Sequence, residues 1–345
     1  MLRRLLGLLC ASAFLLVFAG ASAFAGGTQE EAELDIADDE LIVYSPLHEY
    51  EISRILSQFE RETGINTEFI RLSAGEMAAR IVAESNNPGG DVFFGGPSET
   101  HEAIIPEGVL RPYESPRAAE TDSDFHHPEF YWSGFYVGPM GFAINTDRWE
   151  SEIGGDYPST WEDLLDPALE GEVLMASPAA SGTAYNIAAT QFFRYDTEDE
   201  AWDYLAQLDR NTPFYTTSGA APARQAGTGE VIVGLAFAHD VMKPIDAGFP
   251  LALSIPENAG WEIGAVSIID GGPNPEAAEA FVDWILGPDA QQLHTDLSLR
   301  ISTHPDVQMP PGATPLAELS LVDYDYEWAG ENRSRIVEEW NERFE

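Results

Sequence analysis

Apolar and polar positions along this chain follow two rhythms that take turns. Leu41-Ile42-Val43-Tyr44 is a short apolar run of the kind that makes a buried strand, and Ser45-Pro46 breaks it. Ile52, Ile55, Leu56 and Phe59 then fall at helical spacing, and Gly64 stops that helix. Ile65 to Leu72 alternates as a second strand. Ser73 caps a helix carrying Met77, Ile81 and Val82, and Asn86-Asn87-Pro88-Gly89-Gly90 is a turn. Asp91-Val92-Phe93-Phe94 is a third strand, expected to stop at Gly95-Gly96-Pro97. The alternation returns downstream, with strands at 141–145, 172–176, 231–237 and 264–269. Helices are expected from Ser181 toward Phe193, at 199–208 and at 275–286. Strands alternating with helices make parallel β-α-β units, so the fold class is α/β. Pro305 to Pro315 reads as a surface loop.

Ahead of Leu41 the pattern is different. Arg3-Arg4, an apolar stretch from Leu5 to Phe18 and the small residues of Ala23-Phe24-Ala25 make a secretory signal over 1–25, cleaved before Gly26. A retained anchor is the competing reading, because Leu5 to Ala25 can just span a bilayer. The polar residues from Gly26 to Glu31 favour cleavage, and 26–39 reads as a flexible acidic leader. Cys10 is the only cysteine, and Leu9 before it is too bulky for a lipoprotein signal. The mature chain then has no thiol for disulfides, thiolate metal sites or nucleophilic catalysis. Export makes the protein periplasmic or extracellular, and no second long apolar segment follows.

Charge narrows the partners. Lys and Arg total 17 against 59 Asp and Glu, a net charge of −42, and Lys243 is the sole lysine. Such a surface repels nucleic acid and anionic membranes. The acidic residues are spread along the chain, as on a solvated face, and suit a salty medium in which self-repulsion is screened. The chain carries no Gly-x-Ser-x-Gly elbow, Walker loop, His-Glu-x-x-His or dinucleotide fingerprint, so the reading is of a binding protein, not an enzyme. A secreted carbohydrate-active enzyme is the remote alternative, since carboxylate pairs are plentiful. No cofactor is implied.

Several segments, in order, resemble a known family. They are Tyr44-Ser45-Pro46, Glu62-Thr63-Gly64-Ile65, Ser73-Ala74-Gly75-Glu76, Asp91 to Phe94, Gly138-Pro139-Met140-Gly141-Phe142, Pro158 to Leu164, Ser181 to Tyr185, Ser218 to Pro222 and Asn274 to Ala278. Together they resemble the ferric-ion-type periplasmic binding proteins, in family 1 of the extracellular solute-binding proteins of ABC importers. The resemblance spans 40–345. It implies a two-lobed, Venus-flytrap (type II) fold with two crossing strands, placed near 137–145 and 262–269. Lobe 1 is then 40–138 plus 265–345, and lobe 2 is 139–264. It implies a hinge-bending monomer that closes on a small anionic ligand and serves a membrane permease and its ATPase.

Candidate binding residues follow. Ser181-Gly182-Thr183 opens a helix, where free N–H groups and hydroxyls can hold an anion; as residues alone, Ser181 reads equally as an N-cap. In the family, this place holds a phosphate or other anion. Thr217, Ser218 and Gly219 make a second hydroxyl-and-glycine cluster with the same two readings. Ser45 and the Ser73-Ala74-Gly75 turn are lobe 1 donors on the same logic, and Gly95 and Gly96 end the third strand beside them. His239-Asp240 follows the 231–237 strand, where α/β folds hold ligands, and can donate and accept together; the bland reading has Asp240 capping the next turn. Glu262 adds an acceptor at the second crossing. His126-His127 adjoin in a loop without a third metal ligand, and His101, His294 and His304 show no pattern.

The resemblance also bears on the ligand. Iron-binding relatives supply a His at the first strand-helix junction, a Glu after the third strand and two adjacent Tyr in lobe 2. Here only His48 matches; the Glu place falls at Gly96 and the tyrosine pair at His239-Asp240. A ferric ion needs several anionic oxygens, so this set is poor for it. A His-Asp pair with a later Glu resembles the hexose-phosphate-binding branch, implying a sugar phosphate and no metal. Ferric ion held through Tyr185 or Tyr215 is the alternative, with His48 then a ligand, and an aminoalkyl phosphonate also suits the anion cradle.

Overall fold

The computed structural model describes residues 40–345. The signal segment, Cys10 and the acidic leader lie outside the described residues. The first stretch runs β1 (Glu40–Ser45), α1 (Glu49–Thr63), β2 (Asn66–Arg71), α2 (Ala74–Ala83), β3 (Val92–Pro97), α3 (Ser98–Glu102), β4 (Leu110–Arg111) and β5 (Ser133–Asn145). The middle runs α4 (Thr146–Arg148), β6 (Val173–Ala176), α5 (Gly182–Arg194), α6 (Glu198–Asn211), β7 (Tyr215–Thr216), α7 (Ala221–Thr228), β8 (Val233–Phe237), α8 (Ala238–Asp246) and β9 (Leu251–Ser254). The chain closes with β10 (Trp261–Ile269), α9 (Pro275–Ile285), α10 (Pro288–Ser298), β11 (Ile301–Ser302), α11 (Tyr326–Glu331) and α12 (Arg333–Phe344).

One curled sheet runs β2-β1-β3-β10-β5-β8-β6-β7. β1, β2 and β3 are mutually parallel, as are β8, β6 and β7, while β5 and β10 run antiparallel to their neighbours. β5 ties the halves together: Ser133 to Pro139 pair with β10, and Met140 to Ile144 pair with β8. Its early part escapes the sequence pattern because Gly134, Gly138 and Pro139 interrupt the apolar run. β3 also outruns the expected stop, passing through Gly95 and Gly96 at φ 92° and 89°. Both glycines adopt backbone that L side chains rarely take, and a Cβ on Gly95 would lie 2.7 Å from Leu47. Ladder pairing with β10 resumes across a bulge at Gly264.

Each half has its own core. α1 buries Ile52, Ile55, Leu56 and Phe59 against Phe94, Phe135, Phe281 and Ile285. The other half packs Phe142, Trp161, Tyr185, Trp202 and Leu205 together, with a smaller cluster holding Val241 of α8. The C-terminal segment departs from the expected lobe 1 assignment of all of 265–345. Val322, Tyr324, Ile336 and Trp340 join the core of the second half, while Gly330 lies so close to α3 that a Cβ would sit 2.3 Å from Glu102. Aromatic surface drives this: Trp340 meets Tyr215 at 5.3 Å and Phe344 at 4.7 Å.

Candidate functional site

A cleft opens where the carboxyl ends of the parallel strands converge from both halves. β1 delivers His48, β2 delivers Arg71 and Ser73, and β3 delivers Gly96. From the other half, β6 leads to Ser181, Gly182 and Thr183, β7 to Ser218 and Gly219, and β8 to His239 and Asp240. Tyr136 of β5, Glu262 of β10 and Arg300 before β11 complete the floor.

Hydroxyls and glycines fill one end. Ser181 is the N-cap of α5, its Oγ accepting from the Ala184 N–H at 3.3 Å, so the capping role is present in the same residue that faces the cleft. The free N–H groups of the first turn point out of the helix end, where a negative charge is favoured. Gly219 lets the second turn press against this end: a Cβ there would lie 2.2 Å from Thr183 Oγ1 and 2.8 Å from Ser181 Oγ. Ser73 closes the cradle, forming a capping box with Glu76 and donating its hydroxyl to the Thr217 carbonyl at 2.9 Å.

Charged and aromatic groups fill the other end. His48 Nε2 lies 3.0 Å from Asp240 Oδ1, and Lys243 Nζ lies 3.3 Å from the same oxygen. Burial opposes ionisation of Asp240, but the Lys243 ammonium and the hydrogen bond from His48 outweigh it, holding the carboxyl well below its usual range. Asp240 therefore does not cap the next turn; α8 begins at Ala238 without a side-chain cap. His239 is 2% exposed with both ring nitrogens unpartnered, and burial followed by the Arg300 charge keeps it neutral, with one donor and one acceptor to offer. Glu262 is equally buried, 3.8 Å from His239 Nε2 and 3.5 Å from the Tyr136 hydroxyl. Burial pushes its carboxyl well up, with Arg300 opposing and Glu99 and Asp240 adding, while its Oε2 accepts from the Tyr136 hydroxyl.

Three sequence candidates stand off the wall. Ser45 is fully buried and donates to the Phe94 carbonyl at 2.6 Å, shaping the β1 exit from beneath. Gly95 offers its carbonyl to His101 Nε2 at 3.2 Å, and Thr217 engages only through the carbonyl that Ser73 uses. Tyr185 is in the core, its hydroxyl on the Ala329 carbonyl, and Tyr215 donates to Asp209 at 2.6 Å, so neither phenol faces the cleft. Residue patterns missed Arg71, Tyr136 and Arg300. Arg71 donates Nε to the Leu47 carbonyl at 2.9 Å, and Arg300 lies 4.8 Å over the Tyr136 ring, its Nη1 donating to Glu51 at 2.8 Å. In a chain with so few cations, an arginine set between Leu299 and Ile301 was the one available signal.

Residues 88–327 match the family described as bacterial extracellular solute-binding protein. The chain belongs to this family. A Haemophilus influenzae protein is 36% identical over 313 residues, covering 88% of this chain and 90% of its own. The putative 2-aminoethylphosphonate-binding periplasmic protein of Salmonella typhimurium is 24% identical over 284 residues, covering 79% of this chain and 81% of its own. Among solved structures, the periplasmic binding protein AfuA from Actinobacillus pleuropneumoniae, with exogenous fructose-6-phosphate bound, matches at TM-score 0.86 and 34% identity, over 89% of this chain and 99% of that one. The Mannheimia haemolytica ferric iron-binding protein A, in an open conformation, shares the fold at TM-score 0.66 and 18% identity, over 88% of this chain and 98% of that one. The two-lobed architecture and the role of periplasmic solute-binding component of an ABC importer follow from this membership. No helix among the described residues is long and apolar enough to cross a membrane.

Proposed function

We propose that this solute-binding protein captures a sugar phosphate, with a hexose phosphate as the leading ligand. The observation that carries the reading is the meeting of Ser181-Gly182-Thr183 with His239, Asp240 and Glu262 in one cleft. The phosphate sits at the N-terminus of α5, among the hydroxyls of Ser73, Ser181, Thr183 and Ser218, with Arg71 supplying a cation at the same cleft. The sugar hydroxyls meet ionised Asp240, neutral His239 and protonated Glu262, a set that offers both acceptors and donors. The likeness to AfuA with fructose-6-phosphate supports the same class. The chain works as a monomer exported by a signal cleaved before Gly26, delivers its ligand to a permease with an ATPase, and has no catalytic role.

A second reading is an aminoalkyl phosphonate, favoured by the Salmonella relative and by the carboxylate of Asp240, which can take an ammonium. Calorimetry on ligand-stripped protein with fructose 6-phosphate, glucose 6-phosphate, 2-aminoethylphosphonate and chelated ferric ion separates the readings. Micromolar or tighter binding of a hexose phosphate, with no turnover of a chromogenic glycoside or phosphate ester, is the expected result. Tight binding of the phosphonate or of iron, with no heat from either hexose phosphate, overturns it.

A further inference from the structure

The junction between the halves is polar where their cores are apolar. Glu51, in the first turn of α1, is 1% exposed and carries two cations. Its Oε2 accepts from Arg300 at 2.8 Å, and its Oε1 accepts from Lys243 of α8. Lys243 is the only lysine in the chain, and it spans the cleft, since α1 packs into the Phe59–Phe281 core and α8 into the Val241 cluster of the other half. The same ammonium lies 3.3 Å from Asp240 Oδ1, which also meets His48 of the first half at 3.0 Å.

These partners behave differently if the halves part. Arg300 lies beside β11, which pairs with Tyr136 and Val137 of β5, and α10 before it packs on α1. The Glu51–Arg300 pair therefore stays within the first half in either state. The Lys243–Glu51 pair and the His48–Asp240 pair exist only when the halves are together. An ionic pair present in one state alone biases the equilibrium toward that state, and ligand affinity scales with the population able to hold the ligand. Lys243 is only 24% exposed and Glu51 2% in their side chains, so solvent and salt screen this pair less than an exposed one.

We propose that Lys243 is a positioning residue that latches the cleft shut, using one ammonium to hold Glu51 across the cleft and to fix the Asp240 carboxylate that faces the ligand. The affinity half of this proposal rests on the sugar-phosphate reading; the latch itself does not. A solute-binding protein must release its cargo, and parting the halves breaks the Lys243–Glu51 contact while Lys243 keeps Asp240 within α8.

The test compares wild type with Lys243→Met and Lys243→Arg. Small-angle scattering without added ligand reads the latch directly: Lys243→Met should show a larger radius of gyration than wild type, and Lys243→Arg should stay close to wild type. Stopped-flow with fructose 6-phosphate should show dissociation about 5- to 30-fold faster for Lys243→Met, with association changed far less. Thermal melts within a few degrees of wild type would separate this from a general loss of structure. If the Met variant does not fold, Lys243→Gln keeps a donor without the charge and should show the same two changes. Unchanged scattering and unchanged dissociation in a folded uncharged variant overturn the latch. If wild type binds no sugar phosphate, the ligand assignment fails while the scattering comparison still decides the latch.

Discussion

The two ends of the cleft do the same job with opposite materials. The cradle end uses hydroxyls and backbone N–H groups from Ser73, Ser181 to Thr183 and Ser218-Gly219. Its polarity comes from fixed dipoles at a helix N-terminus and does not titrate in the physiological range. The ionic end uses His48, Glu51, His239, Asp240, Lys243, Glu262 and Arg300, whose charges depend on one another. An anion of fixed shape needs only the first kind of recognition. A polyol with hydroxyls in particular places needs donors and acceptors sorted by position, and burial does the sorting here: it pushes the Glu262 carboxyl up and the His239 ring down, while cations hold the Asp240 and Glu51 carboxyls low.

The strongest test of that contrast is acid. Burial works against the Glu51 carboxylate, but Arg300 and Lys243 hold it at about 2 against an ordinary 4.5. Its contribution to stability is fully present above pH 4.5 and is lost as the pH falls toward 2, on the order of 3 kcal/mol. Urea unfolding at pH 6 and pH 3 should show this loss in wild type and a flatter profile in Glu51→Gln. An equal pH slope in the two proteins would break the claim that this end is held by ionised pairs.

Next comes the cradle. Gly219→Ala places a methyl against Thr183 Oγ1 and Ser181 Oγ, so fructose 6-phosphate affinity should fall by about 2 to 3 kcal/mol, or 30- to 150-fold. The loss should be constant from pH 5 to pH 8. A loss that varies with pH would mean the cradle is coupled to the titrating end. Asp240→Ala should cost about 1.5 to 3 kcal/mol of the same affinity if its charge-assisted bonds are made to sugar hydroxyls; an unaffected variant would place the sugar elsewhere.

Glu262→Gln should change affinity by less than about 1 kcal/mol, because a protonated carboxyl and a carboxamide both donate. A loss as large as that of Asp240→Ala would show that Glu262 binds as an anion. The smallest effect concerns the surface. With a net charge of −42, the melting temperature should hold or rise by about a few degrees between low salt and 1 M sodium chloride. A steady fall would mean that pairs such as Lys243–Glu51 outweigh the self-repulsion.

Local pattern made much of the scaffold legible. Periodic apolar positions placed α1, α5 and α6, and short apolar runs placed β1, β3 and β8, because each signal lies within one element. The cradle was legible for the same reason: Ser181-Gly182-Thr183 and Thr217-Ser218-Gly219 are each contiguous, and a helix start makes its own donors. His239-Asp240 was found because a strand end points to it. Arg71, Tyr136 and Arg300 were not found, since nothing adjacent in sequence marks them. β3 ran past its expected stop because two glycines can hold positive φ and still keep the ladder. The last helices were placed with the first half, but Ile336 and Trp340 are bound by aromatic contacts that no local rhythm shows.

By itself, then, the sequence determined the α/β alternation, the acidic charge and the hydroxyl-and-glycine clusters that line the cleft, because each is written in neighbouring residues or in a sum over the chain. Tertiary structure decided how far burial and distant partners shift each cleft carboxyl. Burial opposes ionisation of both Asp240 and Glu262, yet the first carboxyl is held well below its ordinary range and the second is pushed well above it. The difference lies in the partners: His48, 192 positions away, meets Asp240 at 3.0 Å and joins Lys243 one helical turn on, while Arg300 is committed to Glu51 at 2.8 Å. Coulomb energy inside a protein falls with separation in space and not along the chain, so residues 192 positions apart set one another's charge.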